Sequence, residues 1–532
     1  VEKLGPLLTW LRSFWSRLLR GELSVTIETR AARVFTLLLL LLSAAGFAHA
    51  TAVVLMRAWF EAQGLYNVDT TLYWTIGRGI TQGYMPYRDL FETKPPGVFV
   101  LSALSFALTG DYGLTHAAQV LAILFVAFAP CFVLVRLLKP QVFVERAALC
   151  LALGSVWMTL VGFSAVHAGE VQTEMLGLAP AIGYALLVGK PGWLPFVARA
   201  LAVGVSIGMK EPFALVLPAA YLAMDPVARR PVADLFGPLA LAATAGVFLL
   251  AVLGWLPSYL HLYLATMFGG HTQVAGAPVE RMLNYPLTIA TLAEYSYALP
   301  TALSLCALAY IFADGAGTTA RRVQIVLLGA VVSGLAVGLG ATFYVHHHVL
   351  IMPLAMAIVL TLLRSATLPA TGRSWWTSGF VLFSLALPRW ESTEKLEEHL
   401  VKVQRADASA RDAARIIDRI ADRLRIERWQ WLGPGAYAPY PFTRHLPQGP
   451  LFFQQVVFFE GKYPPWFAEQ LRAQIRQSSL LVVHNPMFVG RMLPQVRGLI
   501  NAHFESLPDD FLLPGERMPY GLFVRKGLLP RR

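Results

Sequence analysis

Apolar runs of about 20 residues, parted by short basic loops, recur through the first three quarters of this chain. A run of that length is what an α-helix needs to cross a bilayer. Eleven candidate spans can be read: 33–57, 113–138, 143–164, 174–189, 195–209, 212–224, 232–254, 293–313, 321–343, 348–364 and 374–388. Composition agrees, since only 14% of the 532 residues are charged while 56% are apolar, and mean hydropathy is +0.54. Soluble domains carry about a quarter charged residues, so a chain this poor in charge cannot clothe a water-facing surface. A soluble enzyme, a disordered or collagen-like chain and a disulfide-stapled scaffold are excluded. Cys131, Cys150 and Cys306 lie in apolar runs, where cysteine behaves as a small hydrophobe.

The charge balance, 44 Lys+Arg against 32 Asp+Glu, gives +12. In a membrane protein such an excess collects in cytoplasmic loops, so no nucleic-acid partner is read from it. Basic residues flank the spans in five loops: Arg136, Lys139 and Arg146; Lys190 and Arg199; Arg229 and Arg230; Arg321 and Arg322; Arg364 and Arg373. With about eleven spans, all five fall on one side, together with a basic amphipathic segment over 1–32 that holds Trp10, Phe14, Trp15 and Arg17. The run that follows is too long for a signal-peptide core and reads as the first span, entered from the cytoplasm. The expected fold is an all-α polytopic bundle over 33–389 in the plasma (inner) membrane. A small extracytoplasmic α/β domain follows over 390–532. Its signals are a charged amphipathic helix from Glu391 to about Arg425, then short strands at Trp429–Trp431 and Leu480–Val483.

The first outer loop, 58–112, is too long and too rich in polar motifs to be a mere connector. It reads Asp69-Thr70-Thr71-Leu72-Tyr73, then Gly83-Tyr84-Met85-Pro86-Tyr87-Arg88-Asp89-Leu90-Phe91-Glu92-Thr93-Lys94-Pro95-Pro96-Gly97, then an apolar run, 98–108, too short to span. Asp69 precedes a helical run, so the pattern fits a helix cap and a catalytic carboxylate alike. The glycines at 77, 79 and 83 do not make a nucleotide-binding GxGxxG, and no strand precedes them. Lys210 interrupts an apolar stretch with Glu211 and Pro212, producing two short spans, and such breaks mark sites in membrane proteins. An ion pair of Lys210 with Glu211 or Glu174 competes with a ligand-binding role. His346, His347 and His348 open a late span. Consecutive residues on a helix point about 100° apart, so they cannot all ligate one ion. No metal site is assigned, and a divalent metal stays open as a cofactor.

The order Asp-x3-Tyr, Gly-x2-Pro-Tyr-x-Asp and Lys-Pro-Pro-Gly resembles the first periplasmic loop of GT-C glycosyltransferases. These include bacterial protein O-mannosyltransferases, the lipid A aminoarabinose transferase and Rgt-type galacturonosyltransferases. The resemblance covers roughly residues 30–365. It implies a GT-C fold and transfer of a sugar, with inversion, from a polyprenyl-phosphate carrier to a lipid, glycan or protein acceptor at the outer face. It also implies Asp69 as the catalytic base and Lys94, Lys210, His346 and His348 at the donor phosphate. Tyr73, Tyr87, Asp89, Glu92 and Glu174 are expected at the substrate. Many relatives have two adjacent carboxylates where this chain has Asp69-Thr70, so only Asp69 is carried over. The rival reading is a non-enzymatic transporter or flippase of lipid-linked sugars. In the outer domain, Trp429, Trp431, Tyr437, Tyr440, Phe442, Tyr463 and Trp466 suit either a packed core or sugar contact.

Overall fold

The computed structural model describes residues 30–64, 68–135, 171–224, 230–269, 319–338, 345–364, 390–433, 439–452, 465–484 and 494–529, with helical positions between 147 and 161. The spans expected at 293–313 and 374–388, nearly all of the segment 1–32 and most of 143–164 lie outside the described residues. The described chain is mostly helical, with one small sheet.

Its helices are α1 Arg30–Ala62, α2 Val68–Thr81, α3 Pro96–Thr109, α4 Gly113–Val135, α5 Thr173–Leu187, α6 Trp193–Met209, α7 Phe213–Ala223, α8 Gly237–Val252, α9 Thr319–Gly338 and α10 Met352–Arg364. Among the described residues four stretches are long and apolar enough to cross a membrane: Leu40–Ala62, Gly113–Val133, Val232–Val252 and Ala320–Val337. The shorter apolar helices include Pro96–Thr109, Thr173–Leu187, Trp193–Met209 and Phe213–Ala223. The bundle's exterior carries large apolar side chains, such as Leu41, Leu201, Val247 and Phe248, all more than a third exposed. A water-facing protein would bury such a surface; lipid tolerates it, which is consistent with membrane association.

Two close helix crossings set the geometry that matters. The Lys-Pro-Pro-Gly motif starts α3: Pro95 is extended and Pro96 occupies the first turn, where its missing N–H costs no hydrogen bond. Gly97 then lies against the end of α6, so close that a Cβ would sit 2.4 Å from the Gly208 carbonyl oxygen. Only glycine allows the approach, and it brings Lys94, just before α3, beside Lys210, just after α6. Gly77 does the same between α2 and α3, where a Cβ would meet Ser102 at 2.5 Å.

At the opposite end of α5 and α6, Arg199 is fully buried. It donates to the carbonyls of Leu187, Lys190 and Ala233 and pairs with Asp234 at 3.3 Å. Arg230 approaches the same Asp234 at 3.6 Å. Lys190, Arg199 and Arg230, which charge bias assigns to one side, thus gather at one bundle end. Arg199, however, is a buried ion-pair member inside α6 rather than a loop charge.

The C-terminal region begins with α11, Trp390–Leu424, which buries Ala410, Ala413, Ile417, Ile420 and Ala421 along one face. The sheet follows: β1 Arg428–Leu432, β2 Leu446–Pro447, β3 Leu480–Val483, β4 Phe504–Ser506 and β5 Gly521–Arg525, in the order β2-β1-β3-β5-β4. Strand β1 runs parallel to β2 and β3, while β5 is antiparallel to β3 and β4. Helices Pro465–Gln477 (α12) and Pro494–His503 (α13) complete the unit. Every residue of Leu480–Val483 is buried, as a central strand covered on both faces requires. Trp429 and Trp431 are wholly buried, Trp429 stacking on Tyr440 at 4.1 Å, so both are core residues rather than sugar contacts.

Candidate functional site

Asp69 lies in the first turn of α2 rather than capping it, because the helix begins at Val68. Its Oδ2 accepts from Lys94 Nζ at 2.9 Å and from the Tyr73 hydroxyl, one turn on, at 3.2 Å. Both partners of the ion pair keep some exposure, 21% for the Asp69 side chain and 15% for Lys94, so the pair can be reached. Burial works against the Lys94 charge, but Asp69, Tyr73, Glu174 and Glu92 together outweigh it and hold the ammonium well above the ordinary lysine range. Burial first, and then the Asp69 charge, push the Tyr73 phenol up, so it stays a donor.

The backbone of Lys94 is held by Tyr87, whose hydroxyl donates to the Lys94 carbonyl at 2.9 Å. Tyr87 is itself unusual: φ is +66°, a left-handed conformation that costs a bulky residue about 1–3 kcal/mol. It is retained by its own N–H, which donates to Leu90 O at 2.8 Å, and by ring contacts with Phe99, Tyr259 and Tyr263.

A second ion pair faces the first. Glu174, in the first turn of α5, forms an ion pair with Lys210, its Oε1 lying 2.5 Å from Nζ, and His347 Nε2 lies 3.4 Å from the same Oε1. Thr173 donates to the other oxygen at 3.0 Å. Lys210 has extended backbone between α6 and α7, and Pro212 prevents the two from fusing. Of the two ion pairs the sequence allows for Lys210, the one with Glu174 forms. His347 belongs to a 3-10 turn, Val345–Ile351, and is buried; the side chains of His346 and His348 lie outside the described positions.

Glu92 is buried two residues before Lys94. Thr93 donates to its Oε1 at 3.1 Å, and Oε2 is buried without a hydrogen bond. Burial raises this carboxyl to about 7; Lys94 pulls it down and Asp69 pushes it up. The expected site residue Asp89 does not join the group. Its carboxylate is held by Arg88 and by the Met85 N–H, at 2.8 Å each, and serves the turn at the loop tip.

Glu211, Tyr259 and Tyr263 belong to the site and were not singled out as site residues by the motifs. Glu211 is half-buried, accepts from the Tyr263 hydroxyl, and lies near both Lys94 and Lys210. The tyrosines sit on a π-helical segment, Tyr259–Leu264, and their relation to loop 58–112 exists only in three dimensions. A short helix–glycine–helix interruption near Trp255 is the only signal the sequence offers for it.

The C-terminal domain packs against the loop 58–112. Arg78 of α2 donates to the carbonyls of Thr443 and His445, the latter at 3.3 Å. The Phe91 ring meets Trp466 and Phe467 edge-on at 5.8 and 5.2 Å. Trp74 stacks on Tyr112 at 3.6 Å, and Tyr112 in turn touches Phe442.

Among the described residues, no group of three His, Cys, Asp or Glu side chains is arranged to hold a metal ion. The arrangement instead offers two cations whose present partners are carboxylates, and a titratable carboxyl, Glu92, beside Lys94. Such a set can exchange its internal pairs for a phosphate and free a carboxylate to accept a proton. No protein-family model and no curated protein matches the chain.

Proposed function

We propose that this chain is a polytopic membrane glycosyltransferase of the GT-C type, with about eleven spans. It would move a sugar from a polyprenyl-phosphate carrier to a cell-envelope acceptor, a lipid, glycan or protein. The basic end of the bundle, with Lys190 and Arg230, faces the cytoplasm on this reading, and the Asp69 end faces out. The observation that carries the reading is the meeting of Asp69–Lys94 with Glu174–Lys210–His347. Motifs from the first outer loop, a helix start, a helix break and a late span converge at one bundle end beneath the C-terminal domain.

The chemistry follows from the pairing. In the resting site Lys94 occupies Asp69 and dulls it as a base. An arriving donor phosphate competes for Lys94 and Lys210, with the His346–His348 turn beside them, and the freed Asp69 oxygen then accepts the proton of the acceptor hydroxyl. The acceptor oxygen bonds to the anomeric carbon from the face opposite the phosphate. The anomeric carbon–oxygen bond breaks, and its electron pair leaves on polyprenyl phosphate, whose charge the cations hold. Divalent metal is not required by this scheme. Tyr73 and Tyr87 position Asp69 and Lys94, and Glu92 adjusts the local charge.

Purified protein in nanodiscs, given polyprenyl-phosphate sugar and envelope extract, should release bare polyprenyl phosphate and glycosylate a component of the extract. A transporter would move the loaded carrier between leaflets and never cleave it.

A further inference from the structure

We infer that Glu211, Tyr259 and Tyr263 form the wall that recognises the sugar of the donor, and that this sugar carries no carboxylate. The inference rests on the reading of the chain as a lipid-linked glycosyltransferase. It concerns the part of the site that the phosphate does not use.

The two lysines at the site are each already matched to a carboxylate, Lys94 to Asp69 and Lys210 to Glu174. Glu211 is left over. Tyr263 donates to its Oε1, and the residue keeps some exposure beside the tyrosine pair. Beside it, Tyr263 is buried, while Tyr259 is only partly covered. The two rings lie nearly parallel, 24° apart with centroids at 5.0 Å, because the π-helical turn brings residues four apart onto one side. The partly exposed face of a supported tyrosine beside a carboxylate is a match for a sugar. The ring covers the apolar C–H face, and the carboxylate accepts from hydroxyls. The wall is anchored to the phosphate side through Tyr87, which packs on Tyr263 at 4.9 Å and holds the Lys94 carbonyl. A uronic sugar would bring a second anion against Glu211, whose cationic neighbours among the described residues, Lys94 and Lys210, already have carboxylate partners.

The test measures binding to bare polyprenyl phosphate and to the same carrier bearing glucose, galactose, mannose, arabinose or glucuronic acid. Wild type should bind at least one neutral-sugar carrier more tightly than the bare carrier, and the uronic carrier no more tightly than the bare one. Glu211→Gln and Tyr259→Leu should leave bare-carrier affinity undiminished and weaken the preferred loaded carrier by about tenfold or more. Tyr259→Phe should retain that affinity, since the ring and not the hydroxyl is used. Equal loss for bare and loaded carrier in the variants would overturn the sugar wall, as would a preference for the uronic carrier. Wild type that binds the bare carrier but gains nothing from any sugar would overturn it while leaving the phosphate site standing. Failure to bind even the bare carrier would instead remove the underlying glycosyltransferase reading, and the wall with it.

Discussion

The backbone N–H of Phe91 donates to the carbonyl oxygen of Pro450 at 2.9 Å, tying the loop that carries Glu92 and Lys94 to the C-terminal domain. The Phe91 ring is buried between that loop and the Trp466–Phe467 pair. The domain is therefore part of the site's frame, although among the described residues it supplies none of the ionisable groups around Asp69.

Phe91→Ala should destabilise the protein by about 3–5 kcal/mol, the usual cost of emptying a buried phenylalanine site. Phe91→Leu should recover much of it. Thermal unfolding in detergent together with limited proteolysis of the C-terminal domain reads both effects. Unchanged melting and protease resistance in Phe91→Ala would show that this contact does not join the two parts.

Glu92 gives a pH signature whose sign is fixed by its environment. Its carboxyl titrates near 7 in the folded protein, against 4.5 for an ordinary glutamate. The folded state therefore binds more protons between those values, and stability falls as pH rises from about 4.5 through 7. The full penalty above that window is on the order of 3 kcal/mol. Glu92→Gln should melt higher than wild type at pH 8 and close to it at pH 4.5, where the carboxyl is neutral in the folded state and only half ionised in the unfolded chain. Parallel stability–pH curves for the two proteins would contradict the buried, strained carboxyl.

Part of this site was legible in the sequence. Asp69, Lys94, Glu174 and Lys210 each stand at a motif or a break in an apolar run, and the structure brings all four together with His347. Asp89 pairs instead with Arg88 in its own turn, since an acid next to an arginine in a tight turn satisfies itself locally. Glu211 was legible only as a possible partner of Lys210, since its actual partner, Tyr263, is 52 residues away on a segment with no motif. Arg57 and Glu61, buried near the end of α1, give no signal in a hydropathy reading beyond a slight dip. In the C-terminal domain the Trp-x-Trp strand and the Leu480–Val483 strand were readable from their composition, while the mixed order of the sheet was not, because pairing is set by tertiary contacts.

The lysines make a binding prediction. Lys94→Ala or Lys210→Ala should weaken binding of bare polyprenyl phosphate by about 1.5–3 kcal/mol, roughly ten- to a hundredfold. Folded variants with undiminished carrier affinity would reduce both residues to ion-pair partners of Asp69 and Glu174.

Orientation can be tested on exposed positions. In a chain whose native cysteines are replaced, a cysteine at Asp509 should react with a membrane-impermeant reagent added outside intact spheroplasts. A cysteine at Lys190, at the basic end of the bundle, should be protected until the cells are opened. The reverse pattern would put Asp69 on the cytoplasmic side, away from any outer-leaflet donor.

The most direct measurement is sugar transfer by Asp69→Asn alongside wild type, following release of bare polyprenyl phosphate from the loaded carrier. Asparagine keeps the size and much of the hydrogen bonding of Asp69, and it releases Lys94, so donor binding should persist or tighten. Basicity is lost, so transfer should fall by about 10²–10⁴-fold. Near-normal transfer by the folded variant would contradict Asp69 as the base. Wild-type protein that carries the loaded lipid across the bilayer uncleaved would contradict the enzyme itself.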